Sequence, residues 1–309
     1  MRYDLPALAR KTGFEPRLLE SVLRMCDILQ DMSRVPYLGN RLALYGGTAL
    51  NFIHFDGLPR LSFDLDFNYR QPPGADWGAE RAHIDDLLKR QLGRLGYGEI
   101  RIQPTYPLVR MDLKFRDESG LGGHLKIETG YLRRIPILRR DSTARFNHIG
   151  TGEKIPILTP RKEELFANKV ATFLKRGKAR DLFDVYNIAG CRFDRESFDL
   201  CLAVECLICG IDPEETGLAG RNVPAGADRE LRAIVRDGRL STNLAGTAVA
   251  FIDGALKRVA ESYGDLFSVF EEAGTIDLAS LKGDKRIVNP LLASHPAILW
   301  ALERRRKRR

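Results

Sequence analysis

Two short alternating segments carry carboxylates suited to holding divalent metal ions. In residues 62–67, Asp64 and Asp66 alternate with apolar side chains. A pleated strand would place both aspartates on one face, about 7 Å apart along the chain. Mg²⁺ prefers hard oxygen ligands, and a pair of such ions stabilises the charges of phosphate transfer. The segment therefore predicts a two-metal site for nucleotidyl transfer.

A third carboxylate has to come from a neighbouring strand. Glu128 lies in residues 124–129, which also alternate and would bring Lys126 and Glu128 to one face. Asp112, in the strand candidate before it, is the alternative third ligand. Lys126 would either neutralise Glu128 or contact a phosphate. We expect Glu128 to complete the metal-binding set.

Gly46, Gly47 and Thr48 precede the aspartates and favour phosphate binding. Paired glycines allow a backbone to approach a phosphate closely. Thr48 is a capping type of residue at the predicted start of a helix, whose unpaired N–H groups and positive dipole end attract anions. We expect this turn to hold the triphosphate of a nucleotide.

The first half of the chain has the elements needed to position these residues. Hydrophobic spacing predicts helices at residues 16–33, from Thr48 to the break at 57–59, and at 78–96. Strands are predicted at residues 41–45, 62–67, 99–103, 108–115 and 121–129. A mixed sheet with flanking helices indicates an α+β catalytic lobe, which we place at residues 1–155.

The second half, residues 156–309, predicts a mainly helical lobe. Its helix candidates are residues 163–174, 179–189, 197–209, 230–235 and 244–259. Residues 264–270 and 290–302 are expected to form a closing helical or loop segment. The glycine-rich run at residues 210–226 is the longest loop candidate.

Composition excludes an intrinsically disordered chain and permits a polyanionic partner. The chain is 44% hydrophobic and 29% charged, as is typical of globular proteins. Its net charge is +8, of which the tail 304–309 supplies six positive charges. Such a tail is either a solvated end or a contact for nucleic acid. No apolar run of about 18 residues occurs, so we expect a cytoplasmic protein without a membrane segment.

Four of the five cysteines fall within residues 191–209. Cys206 and Cys209 have the spacing of half a zinc site, but no second pair or nearby histidine accompanies them. The helical pattern and apolar neighbours predict buried free thiols instead.

Two motifs together resemble the first motif of the AbiEii/AbiGii nucleotidyltransferase toxins. They are Gly-Gly-Thr-Ala-Leu at residues 46–50 and Arg-x-Ser-x-Asp-Leu-Asp-Phe at residues 60–67. This family includes the MenT toxins and shares the DNA polymerase beta catalytic fold. In it the glycine turn binds phosphate and the aspartates bind metal. The resemblance implies an NTP co-substrate and a Mg²⁺ site.

The helical half contains a second similarity to the same family. Glu-Leu-Phe-Ala-Asn-Lys, ending at Lys169, and residues 176–186 are similar to a segment with an essential lysine and a downstream aspartate. The resemblance implies catalytic roles for Lys169 and Asp184, and places Lys169, Arg180 and Asp181 at the nucleotide. Without the resemblance, the residue types favour a solvated surface position for Lys169. In that alternative Arg180 and Asp181 form a surface ion pair, and Asp184 is a buried acceptor for it.

The resemblance implies the toxin of a toxin–antitoxin system that moves NMP from an NTP to RNA. Transfer RNA is the expected acceptor, with a block of translation as the effect. A separately encoded antitoxin protein would be the partner. One alternative keeps the site but transfers NMP to a protein or small-molecule hydroxyl. Another is a non-catalytic module that binds an NTP or the antitoxin.

Overall fold

A computed structural model describes residues 3–216, 229–236, 238–273 and 287–307. The chain forms two compact units. Unit 1 comprises Met1–Tyr131, Ser142–Thr159 and Ile234–Arg239, and unit 2 comprises Leu132–Asp141, Pro160–Ala233 and Leu240–Arg309. The division into lobes at residue 155 stays a prediction.

Unit 1 contains the sheet and its flanking helices. The helices are α1 (Leu5–Thr12), α2 (Pro16–Ser33), α3 (Pro36–Gly39), α4 (Gly46–Ala49), continued by a π-helical turn (Leu50–His54), and α5 (Trp77–Arg94). The strands are β1 (Leu42–Tyr45), β2 (Asp64–Tyr69), β3 (Ile100–Thr105), β4 (Leu108–Arg116), β5 (Gly122–Gly130), β6 (Ser142–Asn147) and β7 (Lys154–Thr159).

The main sheet has the strand order β1-β2-β5-β4-β3. Strands β2 and β5 are parallel, whereas the other neighbours are antiparallel. This mixed sheet with flanking helices confirms the predicted α+β class. Strands β6 and β7 form a separate antiparallel hairpin that the sequence did not predict.

The alternation predicted for the central strands is confirmed by burial. In β2, Leu65 and Phe67 are buried, whereas Asp64 and Asp66 on the opposite face are partly exposed. Strand β5 shows the same pattern. Helix α2 packs its buried side against β5 and β7. The apolar face of the sheet therefore holds the core, and the polar face remains accessible.

Unit 2 is helical, as predicted. Its helices are α6 (Lys162–Arg176), α7 (Ala179–Ala189), α8 (Arg195–Cys209), α9 (Arg229–Ile234, whose last residue belongs to unit 1), α10 (Leu244–Ala273) and α11 (Pro296–Arg306), the last preceded by a 3₁₀ turn (Leu292–Ser294). Helix α6 packs against α7 and α8, and α10 covers both of those helices.

The long helical region near the C-terminal end follows the predicted division. Element α10 consists of two helical stretches that meet at a kink, where Tyr263 has non-helical backbone angles, and they correspond to the predicted segments 244–259 and 264–270. Most of the glycine-rich run, residues 217–226, and the tail residues 308 and 309 lie outside the described residues. Within the described ranges, no helix is both long and apolar enough to span a bilayer.

Candidate active site

Asp66 and Glu128 are direct neighbours across the parallel strands β2 and β5. Two residues earlier, Asp64 is paired with Lys126. Paired residues share a face, and adjacent strands lie about 4.8 Å apart. The side chains of Asp64, Glu128 and Lys126 are 31%, 24% and 21% exposed. The structure thus brings the three predicted carboxylates to one accessible face.

Lys126 lies between two of these carboxylates. Its Nζ is 3.4 Å from Asp64 Oδ2 and 3.4 Å from Glu128 Oε1. Both distances exceed the roughly 2.8 Å of a tight charged hydrogen bond. The ammonium group therefore balances negative charge from two strands without a short bond to either.

The donor chemistry of this face fits Mg²⁺. Among the residues that the structure describes, no three His, Cys, Asp or Glu side chains are gathered as a ready metal cage. A full cage is not required, because Mg²⁺ commonly takes one or two carboxylates and completes its shell with water and phosphate oxygens. Metal binding by Asp64, Asp66 and Glu128 stays a prediction.

The glycine turn begins a helix earlier than the sequence suggested. Helix α4 begins at Gly46, and Tyr45 occupies the N-cap position without a capping side-chain bond. The prediction that Thr48 caps the helix is wrong. Thr48 is fully buried, and its hydroxyl donates a 2.6 Å hydrogen bond to the carbonyl oxygen of Asp64. Its side chain therefore ties α4 to β2, and the partly exposed Gly46 and Gly47 are the better candidates for a phosphate contact.

Both glycines of this turn are closely approached by side chains. Gly46 has a φ of +70°, and a Cβ atom there would lie 2.3 Å from Asp66 Oδ2. A Cβ atom at Gly47 would lie 2.5 Å from a terminal nitrogen of Arg60. Glycine at these positions therefore lets α4 approach both a proposed metal ligand and a buried guanidinium group.

Arg60 is a positioning residue that the sequence reasoning did not single out. It is 3% exposed, and its Nη1 donates to the carbonyl oxygen of Leu61. Arg60 also forms an isolated antiparallel bridge with Val235. The bridge joins segments far apart in sequence, so no local pattern signals it. Its place as the first residue of the motif at residues 60–67 was the available clue.

Asp112, the alternative third ligand, is engaged by other side chains. Arg110 Nη2 lies 2.8 Å from Asp112 Oδ1, while Gln103 and His124 each contact the carboxylate at 3.1 Å. Burial would raise the pKa of Asp112, but hydrogen bonds and charge from Arg110 outweigh it and hold that pKa below its usual range. These contacts favour Glu128 over Asp112 as the candidate for the third ligand, which stays a prediction.

In unit 2, Lys169 is part of a buried ion cluster. Its Nζ lies 3.1 Å from Asp181 Oδ1 and 3.0 Å from Asp184 Oδ2, and its side chain is 6% exposed. The solvated alternative for Lys169 is therefore wrong. Burial opposes ionisation of Asp181, yet hydrogen bonds from Arg176 and the charge of Lys169 lower its pKa to about 2. Asp181 is therefore held as a buried carboxylate between two cationic side chains.

The predicted surface ion pair between Arg180 and Asp181 is wrong. Asp181 is fully buried and bonds to Arg176 and Lys169, because helix α7 turns this residue towards α6. Arg180 is exposed. Asp184 is buried, as the alternative proposed, but its cationic partner is Lys169.

The prediction of buried free thiols is confirmed for Cys201 and Cys206. Cys191 and Cys209 form no disulfide either, but they are only partly buried. Burial raises the pKa of the Cys206 thiol, with smaller effects from neighbouring groups, and so disfavours the reactive thiolate. Both Cys201 and Cys206 belong to the buried residues of α8.

Comparisons with known proteins agree with this arrangement. A solved structure of MenT4, a nucleotidyltransferase toxin from Mycobacterium tuberculosis H37Rv, matches with a TM-score of 0.58 and 17% identity. The match covers 87% of this chain and 98% of that one, and it shows a shared fold. Comparison with curated proteins gives no match. The family model of the nucleotidyl transferase AbiEii toxin, type IV TA system, matches residues 27–240. The chain therefore belongs to the AbiEii nucleotidyltransferase toxin family.

Proposed function

We propose that this chain moves a nucleoside monophosphate from an NTP to a hydroxyl group of RNA, with the acceptor end of tRNA as the preferred target. The observation that carries the proposal is the pairing of Asp66 with Glu128, with Asp64 on the same accessible face. Membership of the nucleotidyltransferase toxin family supports the reaction class. The basic tail supports a polyanionic acceptor.

The sheet face would organise the charges of the reaction. An acceptor hydroxyl loses its proton to solvent and its oxygen bonds to the α-phosphorus, while the bond from that phosphorus to pyrophosphate breaks and pyrophosphate leaves. Asp64, Asp66 and Glu128 would hold Mg²⁺, which supplies compensation for the negative charge on the phosphates. Lys126 contributes a further positive charge beside these carboxylates.

The start of helix α4 would receive the triphosphate. Gly46 and Gly47 are partly exposed and lie in the first turn, where no side chain caps the helix. Unpaired N–H groups at a helix start favour anions. We assign the backbone of Gly46 and Gly47 to phosphate binding, with the buried Thr48 fixing the turn on β2 through its hydroxyl.

The buried cluster of unit 2 is proposed to contribute to the same reaction. Lys169 and Asp184 match the lysine and aspartate expected in this family, and their 3.0 Å ion pair holds the lysine in one place. Asp181 fixes Lys169 from a second side. Arg180 is exposed and is proposed to contact phosphate.

We further propose that an antitoxin protein restrains this activity and that RNA modification blocks translation. The type IV toxin–antitoxin family implies such a partner. Co-expression would test it: growth arrest by the chain alone should be lost in the Asp66→Asn variant and relieved by the cognate antitoxin.

A labelling experiment tests the acceptor. The purified chain is incubated with each α-³²P-NTP, Mg²⁺ and total RNA, with Asp66→Asn in parallel. We expect label in a tRNA-sized band with the wild type only, and the labelled NTP identifies the nucleotide. Label on protein or small molecules would favour the alternative acceptor. Nucleotide binding without any transfer would favour a non-catalytic module.

A further inference from the structure

We propose that Lys126 is an exchangeable internal cation, which balances Asp64 and Glu128 before metal binds and is displaced from them when metal arrives. The inference rests on the proposed function, because it takes these carboxylates as metal ligands. It adds a regulatory step to that site: metal binding has to compete with a lysine of the same sheet.

The position of Lys126 is the first observation. Its Nζ is equidistant, at 3.4 Å, from Asp64 Oδ2 on β2 and Glu128 Oε1 on its own strand. Negative charges that converge on one point repel each other, and a cation that lies between them offsets this repulsion. The ammonium group thus lies where the carboxylates would otherwise attract a divalent ion.

The looseness of these contacts is the second observation. Asp112, on the adjacent strand β4, accepts a 2.8 Å bond from Arg110 and is only 12% exposed. The Lys126 contacts are longer, and both carboxylates are more exposed than Asp112. Arg110 is also a guanidinium, which holds a carboxylate in a fixed geometry, whereas a lysine ammonium is a point charge on a flexible stem. Asp112 is therefore held in a fixed ion pair, whereas Asp64 and Glu128 have a cation that can leave them.

The proposal predicts the direction in which the affinity for divalent metal changes when Lys126 is replaced. Removing the Lys126 charge removes both a competitor and a repulsive charge, so divalent metal should bind more tightly. With unit charges only a few ångströms apart, an increase in affinity of about tenfold is expected. A residue that merely supports the fold would leave metal affinity unchanged or weaken it.

Metal binding without nucleotide measures this effect. Mn²⁺ binding to the full chain is followed by electron paramagnetic resonance for wild type, Lys126→Met and Lys126→Gln. Lys114→Met is the matched control, since Lys114 lies on β4 and pairs with Glu99 instead. Asp66→Asn tests whether the Mn²⁺ occupies the proposed site. Circular dichroism establishes that each variant folds.

The expected result is about tenfold tighter Mn²⁺ binding for both Lys126 variants, no change for Lys114→Met, and loss of binding for Asp66→Asn. If the folded Lys126 variants bind Mn²⁺ no more tightly than the wild type while Asp66→Asn still fails to bind it, the proposed exchange is wrong and the metal assignment stands. Equal tightening by Lys114→Met would overturn the exchange as well. If Asp66→Asn binds Mn²⁺ normally, the metal assignment of the proposed function fails together with the exchange.

Chemical labelling of the wild type avoids any substitution. An amine-acylating reagent is applied with and without Mg²⁺, and modification of Lys126 is measured by mass spectrometry relative to Lys114. Displacement predicts that Mg²⁺ increases the labelling of Lys126 severalfold in the wild type but not in Asp66→Asn. If Mg²⁺ does not change the ratio of Lys126 labelling to Lys114 labelling in the wild type, the proposed exchange is contradicted.

Discussion

The carboxylate of Asp66 lies directly over Gly46, with Oδ2 only 2.3 Å from the position that a Cβ atom at residue 46 would take. The same glycine has a left-handed φ of +70°. The first residue of the proposed phosphate-binding turn and a proposed metal ligand thus occupy adjoining space. Any side chain at position 46 would displace the carboxylate or the turn.

Replacing Gly46 by alanine should reduce transfer at least about 100-fold, because a displacement of about 1 Å at a reacting centre can have such an effect. The substitution should also lower the free energy of unfolding by about 1 kcal/mol, because residue 46 has a positive φ that alanine disfavours. Gly152→Ala is the control, since Gly152 has a φ of +71° with nothing within 4 Å of its Cβ position. Initial rates and urea unfolding of both variants separate the two effects.

Gly46→Ala should lose at least as much stability as Gly152→Ala, because only position 46 adds a close contact to the positive φ, and only Gly46→Ala should lose activity. If Gly46→Ala retained wild-type rates while folded, the close approach to Asp66 would have no role in the reaction.

Lys169→Met should destabilise unit 2 by roughly 3 kcal/mol, because it leaves the buried Asp184 without the ammonium at 3.0 Å. The double variant Lys169→Met/Asp184→Asn should recover part of that loss, since the uncompensated carboxylate is gone. Urea unfolding measures both.

Transfer activity in the same double variant separates a catalytic lysine from a structural one. We expect activity to stay absent when stability returns. Recovery of transfer together with stability would assign Lys169 to folding alone.

Acid should weaken unit 2 through Asp181, whose pKa is about 2 in the folded chain against an ordinary 3.8. Burial opposes this lowering, and the cations Arg176 and Lys169 cause it. A depressed folded pKa stabilises the fold above the unfolded value, and this stabilisation is lost as pH falls from about 4 towards 2. The loss should amount to about 2 kcal/mol.

Urea unfolding of wild type and Asp181→Asn between about pH 5 and pH 3 checks this dependence. The stability difference between the two proteins should shrink as the pH falls. A constant difference across the range would show that Asp181 does not titrate with the fold.

The exposed cations at the end of α11 should contribute to RNA binding. Arg304, Arg306 and Lys307 are exposed. Changing all three to glutamine should reduce the slope of log RNA affinity against log salt concentration by about 2, if each cation neutralises a phosphate. The control changes three exposed cations of α5, namely Lys89, Arg90 and Arg94. Equal slopes for wild type and the α11 variant would make the tail a solvated end.

Local patterns were enough to predict the carboxylate face. The alternation around Asp66 and Glu128 fixes which side chains share a face, because the period of a strand is two. Their adjacency depends on β2 pairing with β5, although β3 and β4 lie between them in sequence. Hydrophobic spacing likewise gave α2 and α7 their observed limits.

Other features depend on contacts that a sequence does not display. Thr48 has the residue type of a helix cap, but burial against β2 gave its hydroxyl a different acceptor. Asp181 follows Arg180 in sequence, yet the helix directs it to Arg176 and Lys169. The β6–β7 hairpin was missed because Phe146 is the one large apolar residue of β6 and because β7 contains Pro156, a residue that disfavours a strand prediction.

The most direct test compares α-³²P and γ-³²P forms of the accepted NTP in the same transfer assay. We predict that wild type transfers label from the α position only, that Asp64→Asn, Asp66→Asn and Glu128→Gln lose this transfer, and that Asp112→Asn retains it. Label arriving from the γ position would contradict nucleotidyl transfer. Activity that survives Glu128→Gln but not Asp112→Asn would contradict the assigned carboxylate face.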